Sequence, residues 1–435
     1  MPRISTYFFK KITITTKNIG IIFIASLIVN IVNFFYQIIM GRLLNPSEYG
    51  ILNVIFSFLL IATAITVTVQ TTSAKYSSIY LAEGNIDKIK SFLISITIRI
   101  LIFTIIIFII LVVFINSIVF FLRIESILPV IFLGIMVIEG SLIAINRGIL
   151  QGIKNFKNLG LNLIIEVFLK LGLGIILVYI GLKANGAMLG LILAILFSYF
   201  LIFLSLGKII GRKKETNIDN KIDNIKRFYK NILLIFISTI LVSLLSYIDM
   251  VLVKHFFTSY EAGYYSAAAQ IGRIVLYFSG ALILVIFPRF SEKFIKKESL
   301  KNLVLQSFIF ILLVSGILLI IYFFFPEFII KILYGTKYLP ASALIFKYGL
   351  FMSIISLINL QVFYFISIDK FYYLIYLFYT IIGMVILIWF YHTSISSILM
   401  ILIYSSFIVF MLNILLMSLP IIKKKGICLR KRSQY

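Results

Sequence analysis

Some residues that could do chemistry lie where water is not expected. In the apolar stretch 263–288, Ser266, Gln270, Arg273 and Tyr277 recur at helical spacing and so share one helix face. Arg273 lies about ten residues into that stretch, too deep to reach an interface easily, and its planar guanidinium suits a phosphate or pyrophosphate. A second stripe, Ser26, Asn30, Asn33 and Gln37, runs along residues 19–40. Shifted by 213 positions it becomes Thr239, Ser243, Ser246 and Met250, with Asp249 beside the last. Stripes of this kind can glue helices together by hydrogen bonds, and Arg273 could equally be a structural partner of Asp249. Water or an anion in front of Arg273 is the reading that its depth favours. Glu166 and Lys170, at i and i+4, are expected to pair with each other, and Arg99 and Glu139, on consecutive helices at similar depth, to form an interhelical pair. No H-E-x-x-H and no Walker A sequence is present, His255 and His392 fall at helix ends, and the lone Cys428 excludes an intramolecular disulfide and a cysteine metal site. The expectation is no catalytic residue, no metal and no cofactor.

The elements that carry these stripes follow from composition. The chain has 435 residues, 62% of them hydrophobic and 13% charged, and its apolar runs of twenty residues or more are each long enough to cross a bilayer as a helix. About twelve such runs are expected, near 19–40, 50–73, 91–119, 126–146, 159–181, 185–206, 231–253, 263–288, 303–325, 343–366, 371–391 and 395–420. The first is too long for a signal-peptide core and is read as an uncleaved helix. The net charge of +25 is distributed unevenly: 30 of the 40 Lys and Arg fall in connections on the side of the chain termini. That asymmetry predicts a multi-pass protein of the cytoplasmic membrane with both termini cytoplasmic. The basic loops are matched to anionic membrane lipids, with no nucleic-acid role.

The layout repeats. LLNPSEYGILN (43–53) lies over FFTSYEAGYYS (256–266), placing Glu48 on Glu261 and Gly50 on Gly263, and KYSSIYLAEGNIDKI (75–89) lies over RFSEKFIKKESLKNL (289–303). Because six helices separate the copies, the repeats are parallel, related by an axis along the membrane normal. The expected organisation is an N-lobe (1–206, helices 1–6), a basic cytoplasmic linker (207–230), a C-lobe (231–420, helices 7–12) and a basic cytoplasmic tail (421–435). Within the linker, Ile218, Ile222 and Ile225 could line a short interfacial helix. All seven prolines lie in tails, loops or span ends, which favours rocking of two rigid lobes over unwinding of a helix.

MGRLLNPSEYGILNVIFSF (40–58) and NRGILQGIKNFKNLGLNLIIEVFLKLGLG (146–174) resemble sequences of the polysaccharide flippases that export lipid-linked oligosaccharides, the polysaccharide transporter branch of the multidrug/oligosaccharidyl-lipid/polysaccharide flippase superfamily. The resemblance implies an all-α membrane fold of two pseudo-symmetric six-helix lobes around a cavity that opens alternately to each side. It also implies a glycan linked to a polyprenyl or dolichyl phosphate or pyrophosphate as substrate, and transport coupled to a proton or sodium ion. Arg273, Lys170 and Arg99 are the residues that qualify as the cavity cations common in such proteins. A cation-coupled multidrug exporter of the same superfamily is the first alternative. It is disfavoured by a first helix without proline or acid, while Asp249 keeps it open. A membrane sugar polymerase or ligase is the second, and it lacks the large outer loop such enzymes use.

Overall fold

The structure is a computed structural model that describes residues 2–207, 225–296, 298–368 and 370–418. It is 91% helical, with no strands among the described residues. The first half of the chain supplies α1 (Pro2–Leu43), α2 (Pro46–Ala82), α3 (Ile86–Val113), the eight-residue α4 (Ile115–Leu122), α5 (Leu128–Gly152), α6 (Phe156–Leu177) and α7 (Lys183–Ser205). The second supplies α8 (Ile225–Phe256), α9 (Ser259–Gly272), α10 (Ile274–Ile295), α11 (Lys301–Phe324), the eight-residue α12 (Pro326–Leu333), α13 (Ser342–Ser367), α14 (Tyr373–Phe390) and α15 (Ile395–Ser418).

Among the described residues, ten stretches are long and apolar enough to cross a bilayer. One of them, Phe156–Ser205, holds both α6 and α7, which reverse direction at Gly181 with φ 99°. The 14-residue α9 continues into α10 as one further crossing, which brings the crossings to the expected twelve. The interfacial helix expected around Ile218 and Ile222 and the 421–435 tail lie outside the described residues.

Short polar motifs start the helices. Asn45 accepts a hydrogen bond from the backbone N–H of Glu48 at the start of α2, with Pro46 at the first helical turn. Thr258 does the same for α9 through a full capping box with Glu261. These are the two segments that align in the repeat, so the repeat is visible as two equivalent caps. Asn85 and Asn155 cap α3 and α6 in the same way.

Packing is densest around α5 in the first half and α13 in the second, and both are largely buried. The halves meet through α2, which packs on α8 and α9. Gly50 and Gly263, equivalent in the repeat, face each other there. A β-carbon on Gly263 would stand 2.0 Å from the Pro46 carbonyl oxygen, and one on Gly50 would stand 2.8 Å from that of Ser259. Only residues without side chains allow this approach.

The eighth crossing is not continuous. It breaks between α9 and α10 at Arg273, although no proline is near. Gly272 is pressed against the Tyr348 backbone, where a β-carbon would come within 3.1 Å of the carbonyl carbon. Absence of proline therefore does not guarantee uninterrupted crossings: close contact at a glycine marks the break here.

Candidate functional site

The connection between α1 and α2 and that between α8 and α9 lie on the side of the bundle opposite residue 2, called here the far side. Two reciprocal contacts close it. At the end of α1, Arg42 donates through Nε to the carbonyl of Leu333, the last residue of α12, at 2.8 Å, and through Nη2 to that of Ile332. At the end of α8, His255, which the 213-residue shift places on Arg42, holds the carbonyl of Phe121 in α4 through Nδ1 at 2.7 Å. Since a carbonyl only accepts, Nδ1 carries the proton. The His255 ring stacks on Phe121 at 4.0 Å. Lys337 donates to the carbonyl of Arg42 at 2.8 Å, and Lys254 to that of Arg123 at 3.2 Å. Each half thus grips the short helix that follows the third crossing of the other.

Beneath this closure lies a tyrosine layer. The Tyr49 hydroxyl contacts that of Tyr334 at 3.3 Å and donates to Gln37 Oε1 at 3.4 Å, and the Tyr49 and Tyr338 rings meet edge to face at 5.8 Å. Gln270 Nε2 then bridges the halves by donating to Asn53 Oδ1 at 2.9 Å, with both residues buried.

Deeper still, Asp249 and Arg273 are buried together, Nη2 to Oδ1 at 3.9 Å. The other carboxylate oxygen of Asp249 accepts from Tyr265 at 2.7 Å and Tyr348 at 2.8 Å. The guanidinium lies 4.8 Å from the Tyr247 ring centroid. Arg273 Nε and Nη2 and Asp249 Oδ1 make no hydrogen bond. The expectation of water or an anion in front of Arg273 therefore gives way, in this conformation, to the carboxylate partner weighed against it.

The other expected ion pairs form differently. Glu166 does not pair with Lys170. It accepts from Arg147 Nη2 at 2.5 Å, while Arg147 also grips Asn162 Oδ1 through Nε and Nη2, and Asn162 donates to the carbonyl of Ser198. The planar guanidinium serves both acceptors at once from donors held in a fixed fork. Arg147 was expected in a near-side connection; Asn162 and Glu166, one turn apart and facing the end of the preceding helix, were the signal for it. Lys170 instead donates to Asn33 Oδ1 at 2.9 Å and sits over the rings of Tyr36, 4.2 Å, and Phe56, 5.2 Å. Arg99 and Glu139 do not pair either. Arg99 is exposed on α3, and Glu139 Oε2 has no hydrogen-bond partner. Similar depth was not enough: α3 buries Thr104, and residue 99 lies about 140° around the helix from it.

Of the remaining stripe residues, Asn30 is exposed and Tyr277 is 39% exposed, though both sit within crossings. Ser243 and Ser246 are buried, and Ser246 is bonded to its own helix through Val242 O. The structure therefore brings Asn53 and Gln270 together at the interface of the halves, puts Gln37 with Tyr49 and Asn33 with Lys170, and puts Asp249 with Arg273.

The polysaccharide biosynthesis protein family model matches residues 15–294. An uncharacterized membrane protein of Methanocaldococcus jannaschii is 33% identical over 205 residues, 45% of this chain and 48% of that protein, so the match spans about half the length of this curated relative. Among solved structures, the inward-facing conformation of a multidrug resistance MATE family transporter of the MOP superfamily superposes with a TM-score of 0.72 at 13% identity, over 90% of this chain and 94% of the other. The lipid II flippase MurJ in an inward closed conformation gives 0.70 at 14% identity, over 91% and 86%. At these identities the likeness establishes the fold.

Proposed function

For a chain that belongs to the polysaccharide biosynthesis protein family, we propose the translocation of a lipid-linked glycan across the cytoplasmic membrane by alternating access. The observation that carries this reading is a graded interface. The far side is sealed by bonds between the halves, while polar groups at Asn30, Asn33 and Tyr277 stay accessible within crossings lower down. Polar groups in hydrocarbon are costly, and a lumen that takes up a sugar head group offsets that cost. The basic connections favour a cytoplasmic near side, and on that reading this conformation is closed to the outside. The lipid II flippase among its structural neighbours supports the substrate class, as does the family description. Movement of the N-lobe (1–206) against the C-lobe (231–420) would open the far side, and release of the Arg42 and His255 contacts is its first requirement. The carrier is a polyprenyl or dolichyl phosphate or pyrophosphate, and transport is coupled to a proton or sodium ion. The protein acts as a transporter and not as an enzyme.

The test is reconstitution into vesicles with a fluorescent polyprenyl-linked glycan in the outer leaflet, with its movement followed by an impermeant quencher. Protein-dependent loss of protection is expected. Extrusion of cationic dyes without any glycolipid movement would replace this reading with that of a drug exporter.

A further inference from the structure

Apart from Lys254 and Lys347 toward the far side, three cations lie in the interior of the bundle among the described residues, and two are answered. Arg147 is neutralised by Glu166 at 2.5 Å, and Arg273 by Asp249 at 3.9 Å. Lys170 has no carboxylate within ion-pair distance among the described residues. Its ammonium, with three donors, gives one to Asn33 and rests on the faces of Tyr36 and Phe56. Tyr36 is fully buried and is anchored by its hydroxyl to the Ala187 carbonyl at 3.0 Å, whereas Lys170 and Asn33 are partly exposed. The cradle is closed behind the ammonium and open in front. Asn33 lies on the same stripe as exposed Asn30, so the open side continues along the accessible part of α1. Asn33, having given its oxygen to Lys170, keeps an amide N–H2 as a further donor.

We propose that Lys170 and Asn33 form the phosphate-binding site of the carrier and select a glycan linked through one phosphate over one linked through pyrophosphate. This rests on the flippase reading above. A phosphodiester brings one negative charge, which Lys170 balances, with the Asn33 amide taking a second oxygen. A pyrophosphate diester brings two. No second cation among the described residues lies in the cradle to meet the second charge, and drawing Arg273 from Asp249 or Arg147 from Glu166 leaves a buried carboxylate without its cation. One ammonium meets one phosphodiester charge, and the aromatic faces hold the ammonium in place before the ligand arrives.

The experiment uses the full-length protein in lipid nanodiscs with three probes: a short-chain polyprenyl phosphoryl-glucose, the corresponding pyrophosphoryl-glucose, and inorganic phosphate. The wild type is expected to bind the monophosphate-linked probe about tenfold or more tightly than the pyrophosphate-linked one. Lys170→Gln should lose that binding at an unchanged melting temperature, and Lys170→Arg should retain most of it. Equal or tighter binding of the pyrophosphate-linked probe overturns the proposal, and the wild-type ratio decides this without any variant. Inorganic phosphate binding as tightly as the glycolipid also overturns it, since the site would then serve a free ion. If the pyrophosphate-linked probe alone binds and crosses vesicles, the flippase reading stands and this selection falls. If no glycolipid binds or moves, both fall.

Discussion

Asp249 works at short range on three neighbours. Its carboxylate takes two tyrosine hydroxyls and faces Arg273, so removing it strands a buried guanidinium and two phenols at once. Asp249→Ala is expected to cost about 3–5 kcal/mol in stability, read as a fall in melting temperature in detergent. A compensating Asp249→Leu with Arg273→Met should recover most of that loss, because no uncompensated charge remains. If the single and double variants melt alike, the two side chains are not coupled. The sequence already placed Asp249 on the seventh crossing and Arg273 on the eighth, and it raised their pairing as one alternative. What it lacked was azimuth. Depth along a helix is counted from residue numbers, but the partner depends on which way a face turns once helices pack. That is why Glu166 went to Arg147 and Lys170 to Asn33, and why Arg99 and Glu139 stayed apart.

Apolar run length placed the second and eighth crossings from 50 and 263, a turn inside the helix starts at Pro46 and Ser259. The cap at Asn45 and the capping box at Thr258 are local, so the spacing N-P-S-E or T-S-Y-E suffices to locate them. The break at Arg273, beside the contact of Gly272 with α13, was not legible, because that contact joins residues distant in sequence. Gly263 offers the clearest test at this scale. A β-carbon there meets the Pro46 carbonyl at 2.0 Å, so Gly263→Ala must push α9 away from α2. A loss of about 1–3 kcal/mol is expected. If the contact loosens as the halves move, the variant should also favour the conformation with the far side open, seen as increased labelling of a far-side cysteine at position 44 by an impermeant maleimide. Wild-type labelling in a destabilised Gly263→Ala protein would show that the contact is structural alone.

For the whole molecule, twelve crossings and a parallel repeat were readable from apolar run length and from the polarity of the loops. The side on which the halves close was not, since it depends on contacts between residues about 130 to 290 positions apart. The orientation test is single-cysteine labelling from outside intact cells in a background with Cys428 replaced. Positions 45 and 258, both exposed on the far side, should react, and positions in 208–224 should not; the reverse pattern would invert the topology. A second test joins Gly41→Cys to Tyr334→Cys, positions whose side chains would touch across the closed side. A short bismaleimide bridge between them should stop transport, and persistence of transport in the bridged protein would show that the far side need not open.

The paired grips of Arg42 on Leu333 and His255 on Phe121 behave as a two-button clasp. When one button slips, the other keeps the loosened pieces within reach, so the first contact re-forms from a high local concentration and the side stays shut. Leakage then requires both to be undone together. Two individually modest bonds, each worth about 0.5–3 kcal/mol, can thereby keep the membrane tight to small solutes while remaining weak enough to release as a pair. Weakening either one alone, as in Arg42→Ala or His255→Ala, should raise passive leak only slightly in vesicle flux measurements. The double variant should leak more than the sum of the two, and simple additivity would mean that the buttons act independently.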